Sequence, residues 1–279
     1  MKSGQILILI LLIVVVALAV GLSVASRNIT NLRTSTQTEQ SQRAFSAAEG
    51  GVEDVLSRLT AIDQADPGQV GSISGKDIPV TVGDITANVN VKSNKSYEFT
   101  LKPGEVGQVN LNGYDAVGSD VKIEWINKND PSEYTTDLTQ NLASIELTFI
   151  CAPPAISCLG DSPAAGQTYS QHREAWKARD GSNFPSAACG GITYDCSLTK
   201  SGVSNVKLLR IKPFWRQATI KVSGSGANAS NFPVQTYEVE SVATSEIGVT
   251  RRIKVTRTAL EQLPAAFDYV LFSEGDIVK

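Results

Sequence analysis

The sequence predicts an α+β fold: one long N-terminal helix packed on an antiparallel β-sheet or β-sandwich head domain. Three observations predict it. An uninterrupted apolar run opens the chain, with no charge between Lys2 and Arg27. Apolar residues then recur at helical spacing up to Ile62. Beyond Pro67 the helical period is replaced by short β-branched and aromatic segments separated by Gly, Asn and Asp.

The apolar run comes first. Every residue from Ile6 to Val20 is apolar, and thirteen of the fifteen are Ile, Leu or Val. The uncharged window is long enough to cross a bilayer, which needs ~20 helical residues. At roughly −0.3 to −0.6 kcal/mol per central Leu, Ile or Val, insertion is favoured by about 4 to 8 kcal/mol. Ser23-Val24-Ala25 offers a small-residue site at which a secretory signal would be cut. The run is at the upper length limit for such a signal, and it continues into a second helical segment. A retained transmembrane helix over 5–26 is therefore expected.

That second segment, 27–66, has no Pro, and its only glycines are Gly50 and Gly51. Phe45, Ala48, Val52, Val55, Leu59 and Ile62 recur in alternating steps of three and four, an amphipathic stripe on one helix face. The stripe predicts the residues that join helix to domain. Between Leu32 and Ala44 the helix is polar all round. It is either a solvated connector or a face packed among other copies of the chain. Gly50-Gly51 marks either a bend or a close approach of another backbone. Pro67-Gly68 ends the helix. A continuous helix from Gln5 to Ile62 would be about 85 Å long at 1.5 Å per residue.

Residues 67–279 read as the β-rich domain. Expected strands are 78–82, 86–91, 97–101, 107–111, 121–126, 144–150, 207–213, 217–222, 235–244 and 250–256. A hairpin is expected around Glu246-Ile247-Gly248. The segment 263–279, with Phe267, Tyr269, Val270, Leu271 and Phe272, reads as a final strand on the sheet, with an exposed interaction segment as the alternative.

The four cysteines, Cys151, Cys158, Cys189 and Cys196, fall in a segment rich in Pro, Gly, Ala and Ser, read as an insertion over 151–200. Within each pair the spacing is seven residues, wider than the two to four usual for zinc, and no His matches. Disulfides fit better, and they place the domain in an oxidising compartment outside the cytoplasm. Small loops (Cys151–Cys158, Cys189–Cys196) and a ladder (Cys151–Cys196, Cys158–Cys189) both remain open. The ladder would stabilise more in the chain-entropy model. Charge around the helix, with Lys2 before it and Arg27 and Arg33 after it, does not set orientation.

Little in the sequence points to chemistry. One His, a net charge of −3 and 19% charged residues fit neither His-based catalysis nor nucleic-acid binding. Neither a phosphate-cradling Gly loop nor a G-x-S-x-G elbow occurs. His172 reads as a surface residue, and Asp115, Asp120 and Glu124 as solvated carboxylates outside any calcium-loop pattern. No cofactor or metal is expected. Tyr169, Trp176, Phe184 and Tyr194 make the insertion the leading candidate for a contact surface with a ligand or protein.

The N-terminal segment resembles the type IV pilins and pseudopilins, specifically minor pilins of the PilX type. Three features carry the resemblance. Met1-Lys2-Ser3-Gly4 resembles a very short leader ending in Gly, followed at once by the apolar run. That run passes unbroken into an amphipathic helix. Arg43-Ala44-Phe45-Ser46-Ala47-Ala48-Glu49-Gly50-Gly51-Val52-Glu53 is similar to the Arg-Ala-Phe-x-Ala-Ala-Glu-Ala-Gly-hydrophobic-Glu stretch of the family. The resemblance covers residues 1–60. It implies a leader over 1–4, cut between Gly4 and Gln5 by a prepilin peptidase. It also implies a membrane anchor that moves into a filament core, packing Ile6, Leu9, Ile13, Val16 and Val20 against the same residues of other subunits. Major pilins carry Glu at the fifth mature position. Here that position is Leu9, which implies a minor subunit. The partners implied are the membrane, other pilin subunits, the assembly machinery and the peptidase. A membrane-anchored surface-binding protein that does not polymerise is the alternative expectation.

Overall fold

The computed structural model describes residues 3–65, 75–115, 117–133, 142–152, 157–163, 169–178, 183–203 and 205–260. It has one long apolar N-terminal helix and three antiparallel sheets, the α+β fold expected. The predicted strands at 78–82 through 250–256 all form, with ends shifted by at most three residues. The predicted final strand at 263–279 lies outside the described residues. The chain divides into two compact units, Met1–Val91 with Val239–Val255, and Lys92–Glu238 with Thr256–Lys279.

Helix α1 spans Ser3–Ala65, about 95 Å at 1.5 Å per residue. It runs without a break through Gly50 and Gly51. Exposed Thr30, Thr34, Thr36 and Thr38 each donate their hydroxyl to the carbonyl four residues back, at 2.8–3.0 Å. These bonds give the hydroxyls of the polar stretch partners within the helix itself.

The first sheet has the order β1-β2-β12-β13, with β1 Asp77–Val82, β2 Ile85–Asn94, β12 Thr236–Thr244 and β13 Thr250–Thr258. A two-residue turn at Gly83-Asp84 joins β1 to β2 in the register Val82↔Ile85, with Gly83 at φ 64°. The predicted hairpin at 246–248 closes with the Ser245 N–H donated to the Val249 carbonyl at 2.9 Å. Alternate residues of β2, Ile85, Ala87, Val89 and Val91, are buried. With Ala47, Ala48 and Ala243, Ile85 and Ala87 form a small apolar cluster.

The second unit is a sandwich. One sheet has the order β4-β10-β6-β7, the other β3-β11-β5-β9-β8. The strands of the first are β4 Gly107–Asn110, β6 Ser144–Cys151, β7 Ser170–Trp176 and β10 Val206–Phe214. Those of the second are β3 Tyr97–Leu101, β5 Asp120–Asn127, β8 Ala188–Cys189, β9 Tyr194–Lys200 and β11 Ala218–Ser225. The inward residues alternate as period-two patterning requires: Ile145, Leu147 and Phe149 on β6, Leu209 and Ile211 on β10, Val121, Ile123 and Trp125 on β5. Trp125, wholly buried, donates its indole N–H to the Ala143 carbonyl at 2.9 Å.

The segment 151–200 corrects the sequence reading. It is not a loop excursion. Its strand β7 forms one edge of the first sandwich sheet, and β9 with β8 forms one edge of the second. β7, Ser-Gln-His-Arg-Glu-Ala-Trp, has no β-branched residue, so its propensity is weak and its place depends on pairing with β6.

Candidate functional site

Helix α1 has two halves with different surroundings. From Ile10 to Val24 every Ile, Leu and Val is 51–70% exposed. Ile13, Val16 and Val20, expected to pack in lipid or against other subunits, are among them. Gly4, Gln5, Ile6 and Leu9 lie within the helix, and their side chains are outside the described residues. At roughly 25 cal/mol per Å² of apolar surface left in water, such a bare stretch is strongly disfavoured in aqueous solution. The helix is long and apolar enough to cross a membrane, and none of its most apolar window is buried within the chain. It is compatible with a single membrane anchor.

The distal half is one-sided. Ala44, Ala47, Ala48, Gly51, Val52, Val55 and Leu59 are buried, and Ala47, Ala48 and Gly51 meet residues of the first sheet. Ala48, Val52, Val55 and Leu59 stand where the stripe placed them. Phe45 does not: it is 46% exposed, on the flank of the stripe. The seam uses small residues, and a ring of that size is excluded from it. Ile62 is helical, with its side chain outside the described residues.

Gly51 shows why small residues are needed. A Cβ there would meet Ser241 Oγ at 2.9 Å, Val89 Cγ2 at 3.0 Å and Ala87 Cβ at 3.1 Å. The helix continues through the pair, and what comes close to Gly51 is side chains of the sheet, not another backbone. Gly50 meets only the Val82 side chain, at 2.9 Å. Two contacts flank the seam. The Arg43 guanidinium lies 2.9 Å from Glu39 and 3.4 Å from Asp84. The Arg251 Nε–H is donated to Ser41 Oγ at 2.8 Å.

Sequence reading missed Ala44, Ala47 and Gly51 as seam residues. Their signal was present as small residues beside the larger apolar ones at offsets of three and four. Alanine and glycine carry little hydrophobic weight, so the bulkier Phe45 displaced them.

The disulfides close the two small loops, Cys151–Cys158 and Cys189–Cys196. The ladder, favoured by the chain-entropy argument, is not formed. Cys189 and Cys196 are direct cross-strand partners of β8 and β9. Asp195 lies beside both sulfurs. As a disulfide the pair offers no thiolate to a metal. The Asp195 carboxylate is buried and pairs with Lys128 at 3.4 Å.

The carboxylates weighed for cation binding are dispersed. Asp115 accepts the Asn205 N–H and pairs with Lys207. Asp120 accepts the Gly202 N–H, and Glu124 pairs with Lys122. His172 is half-buried on β7, not a free surface residue: Nδ1 lies 2.9 Å from Asp161 and Nε2 3.6 Å from Glu174, which also holds Lys200 at 2.7 Å.

Of the aromatics placed in the insertion, Tyr194 is buried and donates its hydroxyl to Glu98 at 2.5 Å. Burial, first, and then the charge and hydrogen bond of Glu98 push its phenol well above the ordinary tyrosine range. Trp176 packs against the sandwich core. Tyr169 and Phe184 are half-buried. The four do not gather into one exposed patch.

No known protein family matches this chain, and no curated protein matches it.

Proposed function

We propose that the protein is a minor pilin or pseudopilin, a structural subunit of a type IV pilus-like or type II secretion-like assembly. The observation that supports this reading most is the division of α1. Its distal face is buried, with Ala47, Ala48 and Gly51 against a sheet of the same chain, while its described apolar residues from Ile10 to Val24 stand more than half exposed. Such a half needs lipid before assembly and neighbouring helices after it. The two disulfides support an extracytoplasmic head on a single-pass anchor. Cleavage between Gly4 and Gln5 by a prepilin peptidase would release the anchor for assembly. The proposed role is in packing and display, not in catalysis.

Mass spectrometry of the mature N-terminus, combined with shearing of surface filaments from the producing cell, tests the proposal. A chain beginning at Gln5 and recovered in the sheared fraction supports it. An intact Met1, with the protein retained wholly in membranes, contradicts it and favours a non-polymerising surface anchor.

A further inference from the structure

The β12–β13 hairpin turns through Ser245, Glu246, Ile247 and Gly248. The Gly248 N–H is donated to the Ser245 carbonyl at 2.9 Å, and the Val249 N–H to Ser245 Oγ at 3.2 Å. Ser at the first position and Gly at the last, here with φ 82°, suit such a turn. Ile247 does not. Turns favour Gly, Pro, Asn, Asp and Ser, and this isoleucine stands at the apex more than half exposed.

Ile247 is not a lone apolar residue on the surface. It lines a cleft of about 370 Å³ together with Ile29, Leu32, Arg33, Thr36 and Gln37 of helix α1. Ile29 and Leu32 are also more than half exposed. Scattered surface apolar residues need no explanation, whereas three gathered around one cleft do.

The place of the cleft along the helix indicates what fills it. Arg27 is the first charge after the apolar run. Ile29 and Leu32 lie roughly 3 and 8 Å further along at 1.5 Å per residue. The headgroup layer on each side of the hydrocarbon is about 5–7 Å deep. With Arg27 at the hydrocarbon boundary, the apolar wall of the cleft falls at headgroup level. Arg33, in the same wall, carries a guanidinium suited to lipid phosphate. Glu246, beside Ile247 in the turn, offsets that charge.

We propose that the β12–β13 turn is a second membrane contact, in which Ile247 enters the headgroup layer beside Ile29 and Leu32. The surface it fits is a zwitterionic phospholipid, because the basic and acidic groups of the patch balance. An apolar tip lying in the interface without spanning it gains its binding from the apolar area buried there. Helix and turn together would fix the tilt and rotation of the anchor, which hydrophobic length alone leaves free. The inference rests on the membrane anchor of the proposed reading, and not on assembly into a filament.

The test uses the full chain, reconstituted at low protein density in phosphatidylcholine vesicles. One preparation carries a photoreactive diazirine at headgroup level, and a second carries it deep in the acyl chains. After illumination, mass spectrometry locates the lipid adducts. The deep probe should label 6–26, and the shallow probe should label 245–248. In Ile247→Ser the yield at 245–248 should fall roughly fivefold, through loss of the inserted aliphatic side chain. The yield at 6–26 should not change. Labelling of 6–26 without labelling of 245–248 overturns the proposal and leaves the anchor standing, the turn then facing water or a protein. An unchanged yield at the turn in Ile247→Ser also overturns it. Absence of adducts at 6–26 overturns the anchor itself, and this inference with it.

Discussion

The two halves of helix α1 share one backbone conformation and have opposite relations to the rest of the chain. In the distal half, Ala44 to Leu59 are buried along one face, and Gly51 lets the helix approach Ala87, Val89 and Ser241 closely. In the proximal half, the described large aliphatic side chains from Ile10 to Val24 are 51–70% exposed on every side of the helix. A helix that is apolar on one stripe is explained by its own domain; one that is apolar all round requires another solvent or another molecule. The bulky, uniformly greasy half therefore faces outward, and the half built of alanine and glycine faces the protein's own sheet.

The largest expected effect breaks the proximal half. Arginine at the centre of a membrane helix costs about 2.5–3.5 kcal/mol. Ile13→Arg with Val16→Arg would then offset most or all of the insertion free energy. The expected outcome is loss of the chain from the carbonate-resistant membrane fraction. Circular dichroism of the head should be unchanged.

The distal half should respond through stability instead. Leu59→Ala and Val55→Ala each leave a cavity in the seam and should cost about 2–4 kcal/mol in denaturant unfolding, against under about 0.5 kcal/mol for the exposed Phe45→Ala. Equal losses at Phe45 and Leu59 would put the stripe where the bulky residues alone suggest. Replacing Cys189 and Cys196 by Ala should remove about 2–3 kcal/mol, the loop-closure value for a short disulfide loop. The loss is expected in the sandwich and not in the seam, as read by hydrogen exchange. A finer contrast is Gly51→Val, expected to cost about 1–3 kcal/mol through overpacking. Gly50→Ala should be nearly neutral, since its gain in helix propensity offsets a contact with one movable side chain.

The smallest effect is a pH dependence. The phenol of Tyr194 is raised above the ordinary value of 10, so the folded state holds its proton while the unfolded chain releases it. Stability from this group is fully present below pH 10 and falls as pH rises above it. Tyr194→Phe should flatten that decline in melting temperature.

The sequence made much of this architecture legible where period and bulk agreed. β6, with Ile145, Leu147 and Phe149, alternates large apolar residues with more exposed ones, and the helix repeats every three to four. It was less legible where position alone set the structure. β7 is a polar edge strand held by β6, and β8 is two residues long. The disulfides formed the shorter loops because strands β8 and β9 place Cys189 opposite Cys196. The seam was half-read, because alanine and glycine signal close approach only when the opposing residues are known.

The claim that the proximal half finds its partners outside its own chain is tested most directly by a photoreactive side chain at Val16 in living membranes. The account predicts adducts to lipid in the anchored pool and to a second pilin-type helix in sheared filaments. Adducts confined to the head domain of the same chain would contradict it.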